Sequence, residues 1–127
     1  LFKAFFEIYT RGVKSFTLYL TIIGDETKSL QRWKKKIDKH GIDIRFIGHR
    51  DREEILNFYE SSILVFSSYL ESFPLVFSEA MIFKTPIVAP NLPFSREILD
   101  SYNNKKYFEV FDYLDLADKL QSYFEVE

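Results

Sequence analysis

The stretch Glu71-Ser-Phe-Pro-Leu-Val-Phe-Ser-Glu-Ala-Met-Ile-Phe83 decides the fold, because it joins a polar turn to an apolar helix directly after a strand. The strand is the apolar run Ile63 to Phe66, and the turn is Glu71 to Pro74. From Leu75 the side chains are apolar almost all round, and a helix of that kind is expected to be buried on every face. Glu79 is the one carboxylate in this helix, and a buried carboxylate is costly unless a partner compensates its charge. The functional question is therefore what Glu71 and Glu79 bind.

The composition of the chain excludes several classes of protein. Its 127 residues are 46% hydrophobic, which suits one globular domain with a real core. The net charge of −2 argues against a general nucleic-acid binder, which is usually clearly basic. The absence of cysteine excludes a disulfide scaffold, a thiolate metal site and a cysteine nucleophile. No apolar run approaches the roughly 20 residues that span a membrane.

Strands alternate with helices along the whole sequence. Strands are predicted at residues 16–23, 42–47, 63–67, 87–89 and 107–110. Helices are predicted at residues 1–10, 27–39, from Asp51, at 75–83, at 95–99 and from Asp112. This alternation predicts one α/β domain over residues 1–127, with a Rossmann-like three-layer αβα arrangement and a parallel sheet covered on both faces. In the first helix Phe2, Phe5, Phe6 and Tyr9 are predicted to face the core.

Candidate ligand-binding residues follow the predicted strands, because open parallel sheets bind ligands beyond the carboxyl ends of their strands. Gly24 and Gly48 lie at two of these ends and allow a ligand to approach the backbone. A third end leads through Glu71 into a helix N-terminus, which favours anions. Two carboxylates at this edge suit the vicinal hydroxyls of a ribose or a sugar. In the alternative interpretation, Glu71 is a solvated loop acid and Glu79 pairs with a buried arginine or a backbone group.

Other catalytic patterns fail on their spacing. The triplet His49-Arg50-Asp51 is similar to a kinase catalytic loop, but Leu56 stands where a kinase needs asparagine, so Asp51 is interpreted as a helix cap. His40 and His49 are the only histidines, and no His, Asp or Glu grouping has metal-ligand spacing. No phosphate-binding glycine loop is present. We therefore expect neither a metal nor a resident cofactor.

The central stretch and the segment Lys84-Thr-Pro-Ile-Val-Ala89 closely resemble the donor-site signature of retaining glycosyltransferases of family 4, which have the GT-B fold. That signature has two glutamates eight positions apart, Glu-Gly-Phe-(Gly/Pro) leading into Glu-Ala-Met, and then a Gly-x-Pro-Val-Val-Ala strand. The flanking segments that also resemble the family are Leu20 to Asp25, Ile44 to Gly48, Ile55 to Phe66, Arg96 to Ile98 and Tyr107 to Leu120.

The resemblance implies a role for each part of the site. Glu71 would act as the catalytic carboxylate that contacts the donor sugar, and Glu79 would bind the ribose hydroxyls. The backbone at the start of the helix would meet the diphosphate and the sugar, and two glycine turns would flank the nucleotide. These donor-binding positions are Ser72, Phe73, Pro74, Leu75, Val76, Gly24, Gly48, His49 and Arg50.

The activity that the resemblance implies is transfer of a hexose from a UDP- or GDP-sugar to an acceptor hydroxyl, with retention and without a metal. The acceptor would be a glycan or lipid-linked sugar in cell-envelope polysaccharide or glycolipid synthesis. The full-length protein would be cytoplasmic and peripheral at the inner face of the membrane. Two alternatives stay open: a nucleotide-sugar epimerase or hydrolase of the same fold, and a non-catalytic nucleotide-binding domain.

Departures from the family pattern carry expectations of their own. Ser72 replaces the usual glycine, and Lys84-Thr85 replaces a small residue followed by glycine, so the helix must end without a glycine. The chain starts without Met inside a predicted helix. The resemblance implies that it is the C-terminal half of a GT-B fold, cut at both ends. The parts it would lack are the first strand, a basic Arg/Lys pair and the N-terminal acceptor domain. We therefore expect these 127 residues alone to be inactive. We also expect them to self-associate through an exposed sheet edge.

Overall fold

The computed structural model describes residues 2–13, 16–20, 35–36, 39, 41, 43–46, 52–66 and 75–124. Strands in these residues are β1 (Leu18–Leu20), β2 (Ile44–Phe46), β3 (Leu64–Val65), β4 (Ile87–Pro90) and β5 (Lys105–Phe108). Helices are α1 (Phe2–Thr10), α2 (Arg52–Ser61), α3 (Leu75–Ile82), α4 (Pro93–Leu99) and α5 (Tyr113–Phe124). None of the described helices is both long and apolar enough to cross a membrane.

Every strand pairing in the described residues is parallel. β1 pairs with β2, with Leu18 opposite Ile44. A second sheet has the order β3-β4-β5, with Ile87 of β4 opposite Leu64 of β3 and Lys105 of β5. Strands that alternate with helices and pair in parallel form an α/β Rossmann-like fold, as the sequence predicted.

β4 is the centre of the described core, and its side chains alternate between two hydrophobic clusters. Val88 faces a cluster built with α1 and α5. Ile87 and Ala89 face a second cluster, to which α2, α3 and α4 contribute. All four residues of β4 are buried. Helices therefore cover both faces of this sheet, which gives the predicted three layers.

The face that α1 buries differs from the predicted aromatic stripe. Ala4, Phe5 and Ile8 are buried, whereas Phe6 and Tyr9 are half-buried at the margins of the helix. α1 packs directly against α5, and Ala4 and Ile8 lie at the centre of this helix–helix contact because their side chains allow a close approach. Among Phe5, Phe6 and Tyr9 of the predicted stripe, Phe5 is thus the residue that belongs to the buried core.

α5 begins where the sequence predicted. The Oδ1 atom of Asp112 accepts a hydrogen bond of 3.0 Å from the Asp115 backbone N–H, which is the geometry of an N-cap. Leu116, Ala117 and Leu120 are buried, so the predicted apolar stripe of this helix is confirmed. The preceding strand was placed too late, at 107–110, because Lys105 and Lys106 resemble turn residues in the sequence but form the start of β5.

α3 ends without a glycine, as the sequence required. Lys84 adopts a left-handed backbone with φ of 58°. Its N–H donates to the carbonyl oxygen of Met81 at 3.2 Å, and the N–H of Thr85 donates to that of Ala80 at 2.9 Å. This pair of bonds is a Schellman motif, in which the left-handed position is usually glycine.

Thr85, just after α3, forms hydrogen bonds with two other segments. It is 2% exposed, and its Oγ1 donates to the carbonyl oxygen of Tyr59 at the end of α2, at 2.5 Å. The hydroxyl of Tyr102, which follows α4, donates to the carbonyl oxygen of Thr85 at 2.8 Å. A buried threonine thus satisfies its polar groups across three segments.

Replacing Lys84 by glycine is expected to raise the free energy of unfolding by about 1 kcal/mol, because a left-handed backbone strains every residue with a Cβ atom. The Lys84 side chain is exposed, so little packing is lost. Urea denaturation measures the change, and Lys84→Ala is the control because it removes the side chain and keeps the strain. A glycine variant no more stable than the alanine variant would contradict this account.

Candidate functional site

α3 is the part of the central stretch that the structure describes, and an aromatic cluster fixes its orientation. The Phe77 side chain is fully buried. Its ring centroid lies 4.8 Å from that of Phe66, just after β3, and 6.3 Å from that of Phe94 in α4. The Phe66 and Phe94 centroids are 6.0 Å apart. Because rings from two other segments contact Phe77, α3 has one defined rotation about its axis.

The two sides of α3 have different surroundings. Val76, Phe77, Ala80 and Met81 belong to or pack against the core cluster. Ile82 points away from that cluster and is 75% exposed. The prediction that α3 is buried on every face is therefore wrong. The sequence could not reveal the outward side because the exposed residue there, Ile82, is itself apolar and weakens the amphipathic pattern.

Glu79 lies three positions before Ile82 and shares its side of the helix. It is half-buried, so it does not have the fully buried position that the sequence predicted. A half-buried carboxylate keeps part of its hydration, and its charge does not require a cation inside the core. Glu79 therefore lies at the margin of α3, between Val76 on the core side and the exposed Ile82.

The other predicted site residues divide into two groups. Leu75 and Val76 are the first two residues of α3, so their backbone N–H groups lie at the helix N-terminus. The side chain of Val76 packs against the core. The remaining positions lie outside the described residues and stay predictions: Glu71, Ser72, Phe73, Pro74, Gly24, Gly48, His49 and Arg50.

A polar cluster lies at the carboxyl ends of β4 and β5, on the edge where open parallel sheets bind ligands. Asn91 follows β4 directly, and its Nδ2 donates to Glu109 Oε1 at 3.0 Å. Arg96 Nη1 donates to Asn91 Oδ1 at 2.6 Å. The sequence predicted this segment at the ligand edge but did not reveal the cluster, because its members are five to eighteen positions apart. The one local sign of the cluster in the sequence was Asn91, an amide residue directly after a buried strand.

Tyr107 of β5 extends this polar edge toward the end of α4. Its hydroxyl donates to Asp100 Oδ1 at 2.6 Å. Burial raises the pKa of Tyr107 well above its ordinary value of 10, and the hydrogen bond to Asp100 raises the pKa further. The neutral hydroxyl is thus the form that the fold stabilises, and it acts as a donor that fixes Asp100.

The part of the chain that the structure describes has no metal centre of side chains. No group of three or more His, Cys, Asp or Glu side chains there could hold a metal ion. That no metal or cofactor takes part remains a prediction from the sequence.

Comparison with known proteins identifies the family of the chain. No curated protein matches the chain. The family described as glycosyl transferases group 1 matches residues 8–127, which is nearly the whole sequence. This match agrees with the Rossmann-like fold described above and supports the C-terminal domain of a GT-B glycosyltransferase. The parallel sheet, the α3 segment and this match together place the chain in the glycosyl transferases group 1 family.

Proposed function

We propose that this chain binds the nucleotide-sugar donor of a retaining glycosyltransferase. The observation that carries the proposal is the half-buried position of Glu79 at the margin of α3, one turn from a helix N-terminus that follows β3. Phe77 fixes the rotation of α3 through its contacts with Phe66 and Phe94. A carboxylate and a helix N-terminus on one helix suit a ligand that has both hydroxyls and phosphates.

Each end of the donor has a proposed partner. Glu79 accepts hydrogen bonds from the ribose hydroxyls, each worth roughly 1.5–3 kcal/mol because the acceptor is charged. The backbone N–H groups of Ser72, Phe73, Leu75 and Val76 bind the diphosphate, with Leu75 and Val76 already in the helix. Pro74 has no N–H and contributes only its position in the turn. Glu71 contacts the donor sugar as the catalytic carboxylate. The Gly24 turn and the turn from Gly48 to Arg50 flank the nucleotide.

The reaction that we propose for the full-length enzyme transfers a hexose from a UDP- or GDP-sugar to an acceptor hydroxyl, keeping the anomeric configuration. The helix N-terminus and basic residues outside this chain stabilise the leaving diphosphate without a metal. The proposed acceptor is a glycan or lipid-linked sugar of the cell envelope, and the proposed site of action is the cytoplasmic face of the membrane. The 127 residues alone are proposed to be inactive and to self-associate through a sheet edge.

Glu79→Gln and Glu71→Gln are each expected to weaken donor binding by about 10- to 100-fold, because each removes the charge from a hydrogen-bond acceptor. Thermal shift with UDP-, GDP- and ADP-sugars on the full-length protein measures this loss. Glu60→Gln, an exposed position on α2, is the matched control and should bind donors normally. Undiminished donor binding by both site variants would refute the proposed roles.

The full-length protein, incubated with a donor and no acceptor, distinguishes the alternative functions. A transferase needs an acceptor for net sugar transfer, so the donor should persist when no acceptor is added. Rapid conversion of the donor without an acceptor would identify an epimerase or a hydrolase. A protein that binds none of the donors would fit a non-catalytic domain.

A further inference from the structure

The turn between β5 and α5, residues 109–112, is fixed by hydrogen bonds at both of its ends. The N–H of Asp112 donates to the carbonyl oxygen of Glu109 at 3.2 Å. The N–H of Glu109 donates to Asp115 Oδ2 at 2.7 Å, and the N–H of Asp115 donates to Asp112 Oδ1 at 3.0 Å. The turn follows the carboxyl end of β5, so it lies on the edge where open parallel sheets bind ligands.

Phe111 projects from this turn in a strained conformation. Its backbone is left-handed, with φ of 60°, which is unfavourable for a residue with a Cβ atom. Its side chain is 86% exposed, so burial of the ring offsets little of that strain. Glycine would adopt the same backbone conformation without strain. The stability of the domain therefore does not explain this residue, and strained residues of this kind concentrate at sites that contact ligands.

The polar cluster described above holds a carboxylate and a guanidinium beside the same turn. Asn91 connects them, because its Nδ2 donates to Glu109 Oε1 at 3.0 Å and its Oδ1 accepts from Arg96 Nη1 at 2.6 Å. Glu109 and Arg96 are both exposed. Oε2 of Glu109 accepts no hydrogen bond from the described residues, and the bond to Asn91 uses one of the five N–H groups of Arg96. Fixed acceptors and donors are thus available to a ligand at this edge.

A carboxylate, a guanidinium and an exposed aromatic ring together suit a saccharide. A sugar hydroxyl donates to a carboxylate and accepts from a guanidinium, and the charges strengthen both bonds. The C–H groups on one face of a sugar ring form an apolar surface that can pack on an aromatic ring. The exposed carboxylates of Glu109 and Asp112 would be repelled by an anionic membrane surface, whereas an uncharged saccharide meets no such repulsion.

We propose that Glu109, Arg96 and Phe111 bind the acceptor glycan, at a sugar residue beyond the one that receives the transferred sugar. This site rests on the transferase function proposed above. In the sheet order β3-β4-β5, the site follows β5 and the donor-binding helix α3 follows β3, and two strand spacings separate them by about 10 Å. A single sugar ring does not reach from one place to the other, so the acceptor is an oligosaccharide.

Substitution of Phe111 separates ligand binding from stability. Uncharged tetrasaccharides of glucose, mannose and N-acetylglucosamine are titrated into the full-length protein, with ligand-observed NMR as the measurement, and at least one is expected to bind. Phe111→Gly is expected to weaken this binding by at least roughly 10-fold, because it removes the aromatic contact. Its Tm should stay equal or rise, because glycine relieves the backbone strain. Phe111→Tyr keeps a ring and should retain binding.

Glu109→Gln tests the polar part of the site. It is expected to weaken tetrasaccharide binding by about 10-fold, because it removes the charge of a hydrogen-bond acceptor. Glu60→Gln, near the end of α2, is the matched control and should bind tetrasaccharides normally. The thermal shift with nucleotide-sugars should be the same in both variants as in the unsubstituted protein.

Three results would overturn this site while leaving donor binding intact. They are the failure of every tetrasaccharide to bind, undiminished binding by both Phe111→Gly and Glu109→Gln, and binding to phosphatidylcholine vesicles that Phe111→Gly abolishes. The last would identify a membrane contact instead of a glycan site. A full-length protein that binds no nucleotide-sugar would refute the proposed function itself, so the two failures are distinguishable.

Discussion

Phe77→Ala is expected to lower the free energy of unfolding by about 3–5 kcal/mol, the range for removing a fully buried phenylalanine. The ring is 0% exposed and contacts the rings of Phe66 and Phe94, which belong to different segments. Alanine would leave a cavity bounded by β3, α3 and α4, and a cavity shared by three elements cannot close without moving one of them. Urea denaturation monitored by circular dichroism measures the loss.

Phe77→Leu is the control for this prediction, because it keeps most of the buried volume and removes the aromatic contacts. It should cost clearly less than the alanine variant. An alanine variant within about 1 kcal/mol of the unsubstituted protein would mean that α3 is not held by this ring. Since Glu79 depends on α3 for its direction, such a result would also remove the structural support for its proposed role.

Ile8→Ala is expected to cost about 2–5 kcal/mol, the range for truncating a fully buried aliphatic side chain. Ile8 of α1 is 0% exposed and lies in the core cluster with Leu116 and Leu120 of α5. Truncation leaves a cavity between the two helices and removes contacts that hold them against Val88. Chemical denaturation again gives the measured value.

Two controls distinguish core packing from the surface contacts of α1. Ile8→Val removes one methylene and should cost about 0.5–1.5 kcal/mol. Arg11→Ala removes the ion pairs to Glu7 and Asp118, at 3.0 and 2.7 Å, and should cost much less than Ile8→Ala because those pairs are solvated. If Arg11→Ala were the more damaging substitution, the α1–α5 contact would be electrostatic rather than hydrophobic.

Element order could be predicted from the sequence because each strand and helix has a local signal. The run Ile63 to Phe66 and the segment Ile87 to Ala89 are short, apolar and bounded by turn residues, which is typical of buried parallel strands. Asp112 marks the start of α5 through its side chain alone. Such signals need no knowledge of distant residues, so the α/β class follows directly from them.

The rotation of α3 about its axis and the first residue of β5 could not be predicted in the same way, because both depend on residues distant in sequence. α3 has no clear amphipathic pattern, so only its contacts with Phe66 and Phe94 reveal that Glu79 lies at the margin of its core side. β5 begins at Lys105, because a strand at the edge of the described sheet tolerates charged residues. A strand prediction based on apolar residues does not include such positions.

The candidate site was predictable to a different degree at each of its parts. The Glu71 and Glu79 pair was identified by spacing and by resemblance, and the structure adds the side of α3 on which Glu79 lies. The cluster of Asn91, Arg96 and Glu109 has no local pattern. It forms only because parallel strands end at the same edge of the sheet.

Thr85 has a consequence for how the protein opens in its native state. Its three hydrogen bonds connect the end of α2, the end of α3 and the segment after α4 through one buried residue. None of these segments can separate from the sheet while the others stay in place without leaving a buried polar group unpaired, so the three should unfold together as one cooperative unit. The helix that carries Glu79 therefore shares the opening free energy of α2 and α4, which keeps this carboxylate on a rigid part of the domain.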